Sequence, residues 1–228
     1  MKITQNKNIV IIPARGGSKR LPNKNIKELE GIPLLVHSIN YAKENSNLNI
    51  DIVVSTDDAE IKRIALENDA IVVDRPEEIS GDFITTVAVM KHVIDKFNTK
   101  YDHVILLQPT NPLRPKELLK SAFNSFIKGN FDSLMTVSRN DDKLGKIVNN
   151  IFIPFNYTIG QRSQDLEPLF YENGLLYITK ASLILEEKIV GHKIFPFIVE
   201  HPYAKVDIDT AEDFKYAEFI LENYNDNE

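Results

Sequence analysis

Short apolar runs alternate along the chain with stretches in which apolar residues recur every three or four positions. Asn8-Ile9-Val10-Ile11-Ile12 is a continuous apolar run, the pattern of a strand covered on both faces. Over 33–45, Leu34, Leu35, Ile39 and Ala42 fall on one side of a helix. Ile50-Asp51-Ile52-Val53-Val54 reads as a strand, 58–68 as a helix with Ile61, Ile64, Ala65 and Asn68 on one side, and Ala70-Ile71-Val72-Val73 as a strand again. Val87, Met90, Val93, Ile94 and Phe97 mark the next helix, His103-Val104-Ile105-Leu106-Leu107 the next strand, and Leu118, Leu119, Ala122, Phe123 and Phe126 another helix. Strand and helix alternating at this pace predict an α/β chain with a mostly parallel sheet between two helical layers.

The rhythm changes after Ser133-Leu134-Met135-Thr136-Val137. Residues 138–172 are polar and irregular, with apolar pieces such as Ile151-Phe152-Ile153-Pro154-Phe155 and no stretch of helical period. Aromatics recur through this excursion, which suits an inserted arm better than a linker, because long irregular excursions are usually functional or packed on a partner. The alternation resumes at Leu175-Leu176-Tyr177-Ile178 and closes with a helix over about 211–223. The expected organisation is one domain over 1–228 with an arm at about 138–172.

Composition narrows the class without deciding it. The 228 residues are 43% hydrophobic and 26% charged, ordinary for a single domain that buries its own core. No apolar run is long enough to span a bilayer, and the opening Met1-Lys2-Ile3-Thr4-Gln5-Asn6-Lys7-Asn8 has no signal core, so a cytoplasmic protein without a membrane partner is expected. Absence of cysteine excludes disulfides, thiol catalysis and thiolate metal sites. The five histidines are scattered without an H-x-x-x-H pair, which argues against zinc. A net charge of −6 argues against nucleic acid bound on a broad basic face, but leaves room for a small polyanion where cations are concentrated.

Such a concentration follows the first strand. Arg15, Lys19, Arg20 and Lys24 lie within ten residues, in the segment Pro13-Ala14-Arg15-Gly16-Gly17-Ser18-Lys19-Arg20-Leu21-Pro22-Asn23-Lys24-Asn25. The carboxyl end of a parallel strand is where α/β folds bind ligands. Gly16 and Gly17 allow close backbone approach, Arg15, Lys19 and Lys24 are placed to neutralise a triphosphate, Pro22 stiffens the path, and Asn25 is placed to hold the return. The segment is neither G-x-G-x-x-G nor G-x-x-x-x-G-K-[ST], so dinucleotide and P-loop readings fall away.

Near the other end, Asp207 and Asp209 flank Ile208. In an extended segment these two carboxylates share a side and Ile208 faces the core. Two hard oxygens beside a triphosphate suit Mg²⁺, or Mn²⁺ in its place, which takes few protein ligands and completes its shell with phosphate and water. A plainer reading also fits: Thr210 followed by Asp213 forms a helix capping box, which accounts for Thr210 and partly for Asp209, but not for Asp207.

The first loop closely resembles the signature of the acylneuraminate cytidylyltransferases, the CMP-sialic acid synthetase family that includes the legionaminic and pseudaminic acid enzymes. Val53-Val54-Ser55-Thr56-Asp57, Arg75-Pro76-Glu77-Glu78, Gln108-Pro109-Thr110-Asn111-Pro112-Leu113-Arg114, Asn173-Gly174 and Asp207-Ile208-Asp209-Thr210 match that family's motifs in order, so the resemblance covers nearly the whole chain. It implies a Rossmann-like nucleotidyltransferase fold, a homodimer joined through the arm, and a reaction of CTP with a nine-carbon 2-keto sugar acid. Ala14, Arg15, Gly16, Ser18, Lys19, Asn25, Arg75, Thr86 and Gln108 would contact the nucleotide, and Gln108 the sugar as well. Asp207 and Asp209 would bind the metal, and Asp209 would also help deprotonate the sugar's anomeric hydroxyl. Ser55-Thr56-Asp57 before a helix reads as a cap.

The sugar side divides. Sialic acid enzymes usually have arginine where this chain has Ser163, and Arg162 lies one position early. Arg162-Ser163-Gln164-Asp165-Leu166-Glu167 looks like the pseudaminic branch, whereas Gln108 to Arg114 and Asn173 to Tyr177 look like the sialic and legionaminic branch. Arg162 and Tyr177 are the sugar-side candidates. The Kdo cytidylyltransferases have a different first loop, and a non-catalytic binding protein on this fold would not need both the charged loop and the acidic pair.

Overall fold

The computed structural model describes residues 7–224; most of the opening octapeptide thus lies outside the described residues. The strands are β1 (Asn8–Pro13), β2 (Glu28–Leu29), β3 (Ile32–Pro33), β4 (Ile50–Thr56), β5 (Ile71–Asp74), β6 (His103–Leu106), β7 (Ser133–Asn140), β8 (Gly145–Val148), β9 (Ile151–Pro154), β10 (Leu169–Lys180) and β11 (Ile194–Ile198). The helices are α1 (Leu34–Glu44), α2 (Ala59–Glu67), α3 (Thr86–Asp95), α4 (Leu118–Lys128), α5 (Ala181–Leu185) and α6 (Ala211–Asn223).

Seven strands form one sheet in the order β11-β7-β10-β6-β1-β4-β5. All run parallel except β10, which is antiparallel to β6 and to β7. Alternate residues of β1 explain why its run is unbroken: Val10 and Ile12 face α1, α2 and α4, while Ile9 and Ile11 face α3 and α5. Burying each such side chain contributes about 1.5–3 kcal/mol, so a strand with two covered faces keeps apolar residues at every position. A third apolar cluster packs α6 under Leu21, Leu29, Leu113, Tyr203, Val206 and Ile208, fastening the 203–208 segment beside the first loop.

Several elements are not predicted by the hydrophobic pattern: β2, β3, α5, β11 and the β8–β9 hairpin. β11 carries Pro196 and lies at the sheet edge, where a residue without an N–H is tolerated. Inside the 138–172 excursion, β7 extends to Asn140 and β10 begins at Leu169, so the part outside the main sheet is shorter than the sequence suggests. It contains the β8–β9 hairpin, turned by Asn149 and Asn150 at φ 50° and 63°, the double left-handed turn that matches strand twist. Ile147, Ile151, Phe152, Phe155 and Ile159 of this excursion are exposed. Tyr157 is half-buried, with the Lys143 ammonium 5.5 Å from its ring centroid.

Candidate active site

The carboxyl ends of β1 and β6, the loop before α3 and Asp209 enclose a cleft of about 450 Å³. Arg15, Ser18, Lys19, Lys24, Asn25, Arg75, Thr86, Gln108 and Asp209 all line it. Four segments far apart in sequence thus meet at one cleft, whose lining does not include Ala14, Gly16 or Asp207.

Side-chain ties give the first loop its shape. Asn25, buried, donates from Nδ2 to the Arg15 carbonyl at 2.9 Å and closes the loop on itself. Ala14 is fully buried and extends the β1–β4 pairing through its N–H to the Ser55 carbonyl, so it supports the loop from below. The Gly16 N–H donates to Asp57 Oδ1 at 3.0 Å, and a Cβ on Gly16 would sit 2.7 Å from the Asp58 carboxylate. Glycine is required there for the contact with the end of β4. The cap of α2 is Asp58, which accepts from the Glu60 and Ile61 amides, leaving Asp57 free to hold the loop. The expected cap therefore lies one residue later, and Asp57 does a different job.

Arg75 is buried and fixed at the end of β4, donating to the Ser55 carbonyl at 2.7 Å. Burial lowers its pKa, Asp57 opposing and Arg15 adding to that shift. Thr86 opens α3 after the N-cap Thr85. Gln108 follows β6, and its carbonyl accepts from Arg114 Nη2 at 2.8 Å. Arg114 is buried and also donates to the Leu175 carbonyl and the Ser38 hydroxyl, tying the end of β6 to β10 and α1.

Asp207 and Asp209 share a side, with Ile208 in the core between them and its N–H donating to the Thr110 carbonyl at 2.8 Å. Burial raises the Asp207 carboxyl, the Thr110 hydroxyl lowers it, and the charge of Asp209 raises it further. Asp209 binds two cations, Arg20 at 2.6 Å and Lys24 at 2.8 Å. The capping box is present in both directions between Thr210 and Asp213, and Asp213 also accepts from the Asp209 N–H. The capping reading of Thr210 and Asp213 is thus met, and the carboxylates of Asp207 and Asp209 take no part in the cap.

The sugar-side candidates fall elsewhere. Tyr177 lies on β10, its hydroxyl donates to Glu172 at 2.9 Å, and burial followed by Glu172 and Asp207 raises its pKa. Arg162 is exposed on the excursion and paired to Asp165 at 2.7 Å, outside the cleft. Between Glu172 and Tyr177 the β10–β7 register shifts at Gly174, whose φ of 76° and contact with Asn111 exclude a side chain. Asn111 in turn donates to the Val206 carbonyl, which accounts for the Asn173-Gly174 motif as a splice between β10 and the acidic segment. Asp57, Asp82, Thr110 and Arg114 complete the site, and only their long-range contacts reveal their parts in it.

The basic loop, the buried Arg75 and Asp209 meet in one cleft beyond the carboxyl ends of parallel strands, where open α/β sheets bind ligands. The solved CMP:2-keto-3-deoxy-manno-octonic acid synthetase complexed with CTP shares the fold, with a TM-score of 0.71 over 95% of this chain and 99% of that one, at 15% identity. The chain belongs to the cytidylyltransferase family, whose model matches residues 9–226. The pseudaminic acid cytidylyltransferase of Campylobacter jejuni is 32% identical over 94% of this chain and 96% of its own length. The N-acylneuraminate cytidylyltransferase of Streptococcus agalactiae is 34% identical over 91% of this chain, which spans 52% of that protein.

Proposed function

We propose that this protein joins CTP to a nonulosonic acid, N-acetylneuraminate or a close relative such as pseudaminic or legionaminic acid, releasing pyrophosphate. The observation that carries this reading is the convergence of Arg15, Lys19, Lys24, Arg75, Thr86, Gln108 and Asp209 on one cleft. The sugar's anomeric oxygen forms a bond to the α-phosphorus while the bond from that phosphorus to the bridging oxygen of the β-phosphate breaks. Arg15, Lys19 and Lys24 stabilise charge on the phosphates, and Asp209 takes the hydroxyl proton. Such transfer rests on positioning and fixed charge more than on covalent chemistry.

Asp207 and Asp209 offer hard carboxylate oxygens two residues apart, a donor type that suits a divalent cation, although Asp209 would have to release Arg20 or Lys24 to take one. Mg²⁺ or Mn²⁺ held there would offset charge on the phosphates and orient the leaving pyrophosphate.

Incubating the protein with CTP, Mg²⁺ and a panel of nonulosonic acids should release pyrophosphate and a CMP-sugar. Release with pseudaminic acid alone would favour the reading carried by Arg162 to Glu167; release with Kdo alone, or with no sugar, would end the proposal.

We also propose a homodimer, working in the cytoplasm, in which the exposed apolar side chains of the β8–β9 excursion are covered by a second copy. No helix of the described residues is long and apolar enough to cross a membrane. Sedimentation should give twice the 26.0 kDa chain mass, and Ile147→Asp should reduce it to one. A monomeric wild-type protein would exclude this arrangement.

A further inference from the structure

Asp82 stands on the loop between β5 and α3, opposite the first loop, with its neighbours Ile79, Gly81 and Ile84 lining the cleft. Its Oδ1 lies 2.8 Å from Arg15 Nη1 and its Oδ2 2.5 Å from Lys19 Nζ. Both oxygens are thus spent on two of the three cations assigned above to the triphosphate. Those two partners, Lys19 first, hold its carboxyl below the usual carboxylate range.

A carboxylate on cations at a polyanion site either aligns them or competes for them. An aligning carboxylate would be expected behind the cations, fixed by its own hydrogen bonds. Asp82 instead lines the cleft itself. It has no part in the cap of α3, which belongs to Thr85. Residues 81–83 are exposed, with Phe83 at 99%, so little packing holds the segment apart from these two ion pairs. A carboxylate remaining there beside bound phosphates would repel them at short range.

We propose that Asp82 is a built-in competitor: it occupies Arg15 and Lys19 while the phosphate site is vacant, and a ligand must carry enough negative charge to displace it. The inference rests on the assignment of Arg15 and Lys19 to phosphate. Competition of this kind lowers apparent affinity by the fraction of time the cations are taken. It penalises most the ligands that depend on those cations, so Asp82 sets the balance between triphosphate, pyrophosphate and monophosphate. After transfer, it returns to Arg15 and Lys19 and helps clear pyrophosphate.

Titration calorimetry with pyrophosphate, CTP and CMP on the wild-type protein, Asp82→Asn and Asp82→Ala tests this, with thermal melts confirming that each variant is folded. Both variants should bind pyrophosphate about 10-fold more tightly, and CMP with little change. Product inhibition of turnover by pyrophosphate should strengthen in step. Unchanged or weaker pyrophosphate binding in both folded variants would overturn the competitor and make Asp82 an aligning residue. The functional reading fails separately, if CTP binds neither wild type nor variants; the pyrophosphate arm still reports on competition in that case.

Discussion

Asp209→Asn should lower kcat by about 10²- to 10³-fold, the usual cost of removing a fixed group that acts on charge in the transition state. The substitution keeps size and backbone: Ile208 still anchors the segment, and the 209 N–H still donates to Asp213. What disappears is the negative charge that Asp209 brings to the cleft, together with the pairs to Arg20 and Lys24. Freed from that carboxylate, both cations remain available to phosphate, so KM for CTP should stay level or fall while kcat drops. This split separates a group acting in the transition state from one that merely shapes the pocket. The Mg²⁺ concentration for half-maximal activity should rise at the same time. A variant with wild-type kcat and metal dependence would remove Asp209 from both the metal site and the chemistry.

Arg114→Ala should cost about 3–5 kcal/mol of folding stability. Its guanidinium donates to the Leu175 carbonyl at 2.8 Å, the Gln108 carbonyl at 2.8 Å and the Ser38 hydroxyl at 3.1 Å, over the ring of Tyr41. Burial brings its pKa down to about 10, still far above neutrality, so it is charged in the interior. Truncation leaves buried acceptors without a donor, at about 1–3 kcal/mol each, and opens a cavity. Lysine keeps the charge but not the fork, so Arg114→Lys should lose about half as much. Urea unfolding measures both; a loss under about 1 kcal/mol for alanine would mean the acceptors find other donors.

Much of this was legible before any coordinates. The unbroken run of β1, the helix over 211–223 and the i, i+2 placement of Asp207 and Asp209 follow from periodicity alone, because each is dictated by which faces are covered. Asn25 was readable as the residue that closes the loop, since a buried amide at a loop's return needs a local backbone partner. The β8–β9 hairpin has a local signal in Asn149-Asn150 between apolar pairs, but it is set in a polar stretch without regular alternation. β11 was hidden by Pro196, which demotes a run unless its edge position is known. Asp57, Asp82 and Arg114 were beyond reach for a different reason. Their partners lie 41, 63 or 67, and 61 or 76 residues away in sequence, and nothing in local spacing records a contact made only once the sheet has closed.

The one reversed strand has a consequence for how such a protein can change. The residues proposed to hold the nucleotide lie at the ends of β1, β5 and β6 and on the loop before α3, whereas Tyr177 and Glu172 ride on β10, on either side of the Gly174 splice. On the proposed assignment, substitutions on that strand and in the excursion preceding it would retune the second substrate while the nucleotide site is inherited intact. A lineage built on this plan can diversify its acceptor by drift on one strand, without passing through forms that have lost the donor.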